Sequence, residues 1–174
     1  MIDFRNIEYL KTGNTKQERI FEILTQNKIL DKIIKFDPVL AGTIPINIDI
    51  ENSDLDIICY VENKLDFIEK LKTVYGKEND FIIRESVINK QESIIATFEL
   101  ENLQFEIFGQ NIPVNNQNAY RHMIIEHKIL QLKGEEFRHK IIKLKQSGYK
   151  TEPAFGILLN LKEDPYLELL DYKI

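Results

Sequence analysis

The feature that most constrains this fold is a pair of aspartates, Asp54 and Asp56, at the start of an apolar run that continues to Val61. Alternate residues of a strand point to the same side, so the two carboxylates share one face while Leu55 and Ile57 share the other. Carboxylates about 4 Å apart repel each other by roughly 1 kcal/mol in water and by more at lower dielectric. Mg²⁺ favours carboxylate oxygens together with substrate phosphates. The pair is therefore a candidate metal site.

Two further positions extend this candidate site. Gly42 and Thr43 form a small-residue turn after a short apolar stretch. Glu106 lies in the middle of residues 104–108 between large apolar neighbours, where a glutamate is costly unless it is paired, exposed or bound to a cation. If its strand lies beside the strand of Asp56, Glu106 reaches the same site. In the alternative, that strand is half exposed and Glu106 meets water.

The hydrophobic pattern divides the chain into a part rich in strands followed by a helical part. A capping box at residues 15–18 predicts a helix over 16–35, and Thr151 and Asp164 are the predicted caps of the last two helices. The pattern predicts strands at 39–41, 55–61, 81–88, 93–100 and 103–108, and further helices at 66–74, 117–132, 135–146, 151–161 and 164–170. We therefore predict an α+β domain over 1–113 and a C-terminal helical part over 114–174, packed on it or forming one compact unit with it.

Composition narrows the function classes. The net charge of −5 argues against a mainly electrostatic grip on duplex DNA or on an anionic membrane. No apolar stretch approaches the roughly 20 residues that span a bilayer, and the first ten residues lack a signal-peptide core. The single cysteine, Cys59, lies inside an apolar run, where we expect a small buried hydrophobic side chain. We expect a cytoplasmic protein.

The site residues resemble a known superfold, that of DNA polymerase beta and of the minimal and aminoglycoside nucleotidyltransferases. It carries a Gly-Ser or Gly-Gly turn, an Asp-x-Asp or Asp-x-Glu at the start of the next strand, and a third carboxylate on a later strand. The turn at Gly42, the pair Asp54 and Asp56, and Glu106 match in order and approximate spacing. More narrowly, residues 40–46, 53–57, 106–110, 119–123 and 150–155 are similar to an uncharacterised bacterial family of unknown function placed near that superfold. This resemblance covers nearly the whole chain and implies a mixed sheet with flanking helices.

The resemblance implies transfer of a nucleoside monophosphate from a nucleoside triphosphate to a hydroxyl of a small molecule, nucleotide or protein. Asp54 and Asp56 would bind Mg²⁺ or Mn²⁺, with Glu106 on the ion that activates the attacking hydroxyl. Gly42 would let the backbone approach the triphosphate, and the hydroxyl of Thr43 would donate to it. Two alternatives are a catalytically inactive module that binds a nucleoside triphosphate or a protein, and one half of a regulatory pair whose helical segment binds another protein.

The chain departs from the pattern of that superfold in three ways. Thr43 replaces the usual serine or glycine, and Glu106 is longer than the commoner aspartate. The loop over 44–53 lacks Arg and Lys, whereas many of these transferases place cations there. It carries instead a second acid pair, Asp49 and Glu51. We prefer Asp54 and Asp56 as the metal pair because strand residues follow them directly.

Five further residues are predicted to bind substrate or phosphate, on the resemblance or on their position, and they are Ser53, Arg121, His122, Lys150 and Glu152. Ser53 directly precedes the aspartate pair. Arg121 shares a helical face with Lys128, seven residues away. Lys150 and Glu152 line a substrate cleft in one interpretation and begin a helix in the other.

The same helical region leaves two questions open. His122 is a candidate for acid–base chemistry, whereas His127 falls on the stripe of Tyr120 and Met123 and is expected in the core. Residues 128–150 carry a local excess of five positive charges. This excess indicates phosphate or RNA binding in one interpretation and a solvated helical face in the other. An RNA or protein partner stays open.

Overall fold

The computed structural model describes residues 2–174; Met1 lies outside the described residues. The described chain contains five strands, six α-helices and three 3₁₀ turns. The strands are β1 (Val39–Ala41), β2 (Leu55–Tyr60), β3 (Asn79–Ile88), β4 (Gln91–Leu100) and β5 (Leu103–Gln110). The helices are α1 (Thr15–Gln26), α2 (Ile29–Lys32), α3 (Lys64–Tyr75), α4 (Asn118–Gln146), α5 (Thr151–Leu159) and α6 (Pro165–Glu168), and the 3₁₀ turns are Glu8–Thr12, Ile34–Phe36 and Val114–Asn116.

The described residues form two compact units. The first contains the residues up to Ala41 together with Asp54–Gln117, and so holds the five strands and the helices α1–α3. The second contains Gly42–Ser53 together with Asn118–Ile174, and so holds the helices α4–α6. A division into domains over 1–113 and 114–174 stays a prediction.

The five strands form one mixed sheet in the order β1-β2-β5-β4-β3. Only β2 and β5 run parallel; the other three pairs are antiparallel. The hairpins β3–β4 and β4–β5 turn through Asn89–Lys90 and Glu101–Asn102, and all four of these residues have positive φ. Two-residue turns of this kind match the twist of the paired strands. The sequence therefore specifies the meander locally, as predicted.

One face of the sheet carries the core of the first unit. The rings of Phe98 and Phe105 stack with centroids 4.9 Å apart, and Tyr75 of α3 stacks on Phe98 at 4.8 Å. The Tyr75 hydroxyl donates to the carbonyl oxygen of Ile29 at 2.6 Å, which satisfies a polar atom that would otherwise be buried without a partner. Cys59 points into this core and is fully buried, as predicted. The opposite face carries the polar side chains Asp56, Thr97 and Glu106, followed along the strands by the buried side chains of Ile58 and Ile95.

The first helix differs from its prediction at both ends. Its N-cap is Asn14, whose side chain forms a capping box with Gln17, so the box begins one residue earlier than predicted. The helix does not continue to residue 35, because Lys28 adopts a left-handed conformation (φ 51°) and separates α1 from α2. The apolar spacing continues across this break, which is why the pattern alone indicated a single helix.

The second unit is helical, as predicted. Its longest element, α4, is two helical stretches joined at Gly134, whose φ of 77° and ψ of −172° interrupt the helix. The cap of α6 is Asp164, whose side chain accepts from the Tyr166 amide, as predicted. Thr151 is not the cap of α5: the N-cap is Lys150, and no side chain caps that end. Across residues 2–174 none of the helices combines the length and the apolar character needed to cross a lipid bilayer.

Candidate active site

The parallel pairing of β2 with β5 brings two of the predicted acids side by side. Asp56 is the register partner of Glu106, and neighbouring strands lie about 4.8 Å apart. On the other side of each, Ala41 of β1 pairs with Asp56 and Thr97 of β4 pairs with Glu106. Asp54 directly precedes β2, two residues before Asp56, and is exposed. The sheet therefore carries a row of small and acidic side chains, in which Asp56 and Glu106 are half-buried.

Two neighbouring charges, those of Asp54 and Arg84, act on the carboxyl group of Glu106. Burial raises the pKa of the Glu106 carboxyl above its ordinary value; the positive charge of Arg84 lowers it and the negative charge of Asp54 raises it. The Arg84 Nη2 atom lies 3.4 Å from Glu106 Oε2, with about 60% of the Arg84 side chain exposed. Such an exposed ion pair contributes little to stability.

The chemistry of this donor set fits a divalent metal ion. The site offers three carboxylates, which are hard oxygen ligands. The net effect of the surroundings raises the pKa of Glu106, and a bound cation would stabilise its charged form. Asp56 and Glu106 are register partners, but over residues 2–174 no group of three or more His, Cys, Asp or Glu side chains is placed to hold an ion. The ligand chemistry of Asp54, Asp56 and Glu106 therefore fits a divalent ion, and their order along the chain matches the order in the resembled superfold.

The predicted phosphate-binding turn lies at the start of the segment Gly42–Ser53. Gly42 has a φ of 77°, a left-handed conformation that glycine adopts without steric cost. The carbonyl oxygen of Thr43 accepts from the Ile48 amide at 3.1 Å, so the segment folds back on itself. At its end, the Ser53 hydroxyl accepts from the Ile50 amide at 2.9 Å. In this structure the Ser53 hydroxyl therefore closes a turn.

The second unit brings His122 and Glu152 together. His122 Nε2 lies 2.8 Å from the carbonyl oxygen of Tyr166, and His122 Nδ1 lies 3.4 Å from Glu152 Oε1. Because a carbonyl oxygen only accepts, Nε2 carries a hydrogen, and the contact on the other side of the ring is favourable when a proton lies between Nδ1 and the carboxylate. His122 is buried whereas His127 is only half-buried, so the expectation that His127 is the core histidine was wrong.

A buried acid, Glu126, lies one helical turn after His122. Its side chain is 3% exposed, and among the described residues its buried Oε1 atom has no hydrogen-bond partner. Burial raises the pKa of Glu126 to about 8; the charge of Glu152 raises it further and that of Lys145 opposes the rise. At neutral pH this carboxyl is therefore largely protonated, in a place where an apolar side chain would be expected.

The other predicted substrate-binding residues lie at the surface of the second unit. Arg121 is exposed, and its guanidinium donates to the Asn118 side chain one turn earlier, at 3.4 Å. Lys150 is exposed at the N-cap of α5, and its carbonyl oxygen accepts the first helical hydrogen bond from Ala154. Helix α5 begins directly after Lys150, as the helix-start interpretation predicts. The cleft interpretation of Lys150 stays a prediction.

Comparison with known proteins assigns the family. A profile of the family described as "Domain of unknown function (DUF4269)" matches residues 22–172. The chain belongs to this family. The expected membership of an uncharacterised family is therefore confirmed. No curated protein matches the sequence to a significant level.

The solved structures that this DUF4269 chain resembles have a nucleotidyltransferase fold. The Cid1 poly(U) polymerase with MgGTP bound matches with a TM-score of 0.56 and 13% identity, over 76% of this chain and 42% of that one. Cid1 in complex with the UTP analogue UMPNPP matches with a TM-score of 0.57 and 17% identity, over 84% and 48%. The polymerase core of TRAMP, an RNA surveillance complex, gives 0.55 and 10%, over 94% and 50%. This chain spans half the length of these proteins or less, and the likeness confirms the predicted α+β nucleotidyltransferase-like fold.

Four charged residues of these surroundings were missed in the sequence: Arg84, Glu126, Arg138 and Lys145. The last three follow the apolar spacing of α4, since Glu126 lies three residues after Met123 and three before Ile129. A charged residue on such a stripe is a detectable signal. Arg138 and Lys145 are buried, with 7% and 8% exposed, so the solvated-face interpretation of this positive region fails for these two cations. Arg84 carries no comparable signal, because it lies on a strand with an exposed face.

The shared face of the acids predicts how Glu106 titrates. Asp54→Asn removes a negative charge and should lower the pKa of Glu106, whereas Arg84→Gln removes a positive charge and should raise it. Of the two changes, the shift caused by Arg84→Gln should be the larger. The measurement is a ¹³C NMR titration of the Glu106 carboxyl in the wild type and in both variants. An unchanged pKa in both would show that these charges do not share a face.

The raised pKa of Glu126 predicts a pH-dependent stability. Because the folded state holds this proton up to about pH 8 and an unfolded glutamate releases it near 4.5, the stabilisation from proton retention is lost as pH rises through this range. The free energy of unfolding of the wild type should therefore fall relative to that of Glu126→Gln, by up to about 1.4 kcal/mol per pH unit. Urea denaturation from pH 5 to pH 9 measures this difference.

The matched control is Glu136→Gln on the same helix. Glu136 is exposed, and its hydrogen bond with Lys140 lowers its pKa, so the corresponding difference should stay flat above about pH 5.5. A Glu126→Gln variant whose stability follows that of the wild type at every pH would contradict the assignment of a buried protonated carboxyl.

Proposed function

We propose that this protein is a metal-dependent nucleotidyltransferase, which moves a nucleoside monophosphate from a nucleoside triphosphate to a hydroxyl group of an acceptor. The observation that carries the proposal is the register that sets Asp56 beside Glu106, with Asp54 two residues earlier. The nucleotidyltransferase-like fold supports it, because a third carboxylate on a strand beside the aspartate pair is the arrangement that the resemblance requires.

In this proposal Asp54, Asp56 and Glu106 hold Mg²⁺ or Mn²⁺. A bound ion supplies charge neutralisation of the triphosphate and polarisation of the attacking oxygen. The residues of the chain then have separate tasks. Glu106, on the strand beside Asp56, would hold the ion that activates the acceptor hydroxyl, and the proton of that hydroxyl passes to solvent water. The acceptor oxygen forms a bond to the α-phosphorus, and the bond from that phosphorus to pyrophosphate breaks.

The turn of Gly42 and Thr43 keeps its proposed role in binding the triphosphate. The left-handed Gly42 leaves the backbone free of a side chain at that point, and Thr43 offers a hydroxyl. The remaining candidates keep their proposed roles in substrate binding, and they are Ser53, Arg121, His122, Lys150 and Glu152. The contact at 3.4 Å between the buried His122 and the half-buried Glu152 supports the roles of that pair. The pair is suited to donor groups of a substrate, because its carboxylate accepts hydrogen bonds.

The acceptor in this proposal carries a hydroxyl on a small molecule, a nucleotide or a protein. RNA belongs among the candidates because the structural neighbours include a poly(U) polymerase and the polymerase core of an RNA surveillance complex. We place the protein in the cytoplasm, since its single cysteine is a buried core residue that suits a reducing compartment.

A second candidate is a module that binds a nucleoside triphosphate or a protein without catalysing transfer. The ion pair between Arg84 and Glu106 favours it, because the guanidinium contacts a carboxylate that the catalytic proposal assigns to a metal. The exposed position of Arg84 favours catalysis, since an exposed ion pair is readily exchanged for a divalent cation. Product formation with an acceptor distinguishes the two candidates.

The proposal predicts metal-dependent nucleotide binding that requires the aspartate pair. With ATP, GTP, CTP and UTP tested in turn, one nucleotide with Mg²⁺ or Mn²⁺ should stabilise the wild type by roughly 2.7 kcal/mol at 100 times its Kd. Asp54→Asn with Asp56→Asn should remove this stabilisation while leaving the fold intact, because neutralising the acids relieves their repulsion. Thermal denaturation measures the shift.

The control is the other acid pair, with Asp49→Asn and Glu51→Gln, which removes the same charge from the chain. If only this control variant loses the shift, the metal binds at Asp49 and Glu51, and our assignment to Asp54 and Asp56 is wrong. Absence of a shift with every nucleotide would refute nucleotide binding and leave the protein-binding module. Unfolding of the Asp56→Asn variant would show that the pair is structural.

A further inference from the structure

Two buried cations of α4 bind the backbone of the segment that begins with Gly42 and Thr43. Arg138 donates through Nη1 to the carbonyl oxygens of Ile46 at 2.5 Å and Asn47 at 3.1 Å. Lys145 donates through Nζ to the carbonyl oxygen of Ile48 at 2.7 Å. Three consecutive carbonyl groups of one loop are therefore bound by two side chains of one helix.

The geometry of the helix and of the loop makes this arrangement specific. Arg138 and Lys145 are seven residues apart on the second stretch of α4, so they lie on one face. In an extended chain, consecutive carbonyl groups point in alternating directions. Asn47 has a left-handed backbone conformation (φ 57°), which interrupts this alternation. The loop thus turns its carbonyl oxygens toward the two cations. Arg138 Nε donates to Glu135 Oε1 at 3.1 Å, which fixes the orientation of the planar guanidinium group.

The bound carbonyls are connected to the Gly42 turn by hydrogen bonds within the loop. The Ile48 amide donates to the carbonyl oxygen of Thr43 at 3.1 Å, and the Asn47 amide donates to that of Ile44 at 3.2 Å. Each amide that donates to the start of the loop therefore belongs to a residue whose carbonyl oxygen is bound by a buried cation. Lys145 is connected to Thr43 through the single residue Ile48.

We propose that Arg138 and Lys145 are positioning residues for the turn of Gly42 and Thr43, and that they fix it in the conformation that receives a nucleoside triphosphate. This inference rests on the proposed function. The loop over 44–53 has no Arg or Lys of its own, so it lacks side chains that would hold a phosphate by charge. Its own contribution to binding then comes from backbone groups and hydroxyls, and such groups bind well only when they are ordered before the ligand arrives.

Both cations have electrostatic interactions besides their hydrogen bonds to the loop. The charge of Lys145 lowers the pKa of the buried Glu126, against burial and the charge of Glu152, which raise it. The guanidinium of Arg138 is paired with Glu135.

The test compares nucleotide affinity with the order of the loop in Lys145→Met. Methionine keeps the length of the side chain and removes the donor and the charge. The Kd of the Mg²⁺-bound nucleoside triphosphate selected for the wild type should rise at least about tenfold, because an unordered loop must be ordered on binding. Without nucleotide, hydrogen exchange at the amides of residues 43–50 should accelerate. Lys143→Met, an exposed change on the same helix, should alter neither quantity.

A second variant covers the case in which Lys145→Met does not fold. Arg138→Lys keeps the positive charge but cannot reach both carbonyl oxygens and Glu135 with one planar fork. It should give a smaller increase in Kd with faster exchange over the same residues. A Kd equal to that of the wild type in these variants would overturn the positioning role while the proposed function stands. A higher Kd with unchanged exchange would overturn it too, since the side chains would then act on the nucleotide directly.

The proposed function fails separately. If the wild type binds no nucleoside triphosphate with either metal, the transferase proposal is refuted, and the positioning role for a nucleotide is refuted with it. If the wild type binds and Asp54→Asn with Asp56→Asn does not, metal-dependent nucleotide binding at the aspartate pair holds whatever the result for Lys145. The two claims are thus distinguished by which variants lose binding.

Discussion

The parallel pairing of β2 with β5 is the constraint on which the candidate site depends. These strands are distant in sequence, and the hairpins of β3, β4 and β5 return the chain so that Glu106 comes to lie beside Asp56. A shift of one residue in this register would turn Glu106 into the apolar core and expose Phe105 or Ile107. The stacked aromatic rings on the core face oppose that shift, so the packing of one face fixes the chemistry of the other.

Local sequence patterns were sufficient for most of the sheet. The alternation around Asp56 and Glu106 and the hairpin of the strands predicted at 81–88 and 93–100 each depend on neighbours in the chain, and each was predicted correctly. The break at Lys28 was not, because its left-handed conformation is not marked by glycine or proline and the apolar spacing runs on past it. The reversed burial of His122 and His127 has a similar cause, since tertiary packing decides which side of a half-apolar helix is covered.

The buried charges of the second unit depend on contacts that a sequence does not display. Arg138 and Lys145 satisfy carbonyl oxygens of a loop some ninety residues away in the chain. Burial of a cation is unfavourable unless its donors are used, and here the loop uses them. These two cations therefore do not belong to an exposed surface for RNA, and their spacing along the apolar stripe was the signal of their burial. The other five Lys residues of this region are exposed, and an RNA partner stays a prediction. Glu126 follows the same stripe as an acid kept protonated by burial.

The central claim is that the acids of the sheet form a metal site, and anomalous diffraction tests it most directly. Crystals grown with Mn²⁺ and a non-hydrolysable nucleoside triphosphate, measured at the manganese edge, locate each ion independently of the protein density. The account predicts a peak about 2 Å from carboxylate oxygens of Asp54 and Asp56, within reach of Glu106. Peaks only beside Asp49 and Glu51, or nucleotide density with no ion on the aspartate pair, would contradict it.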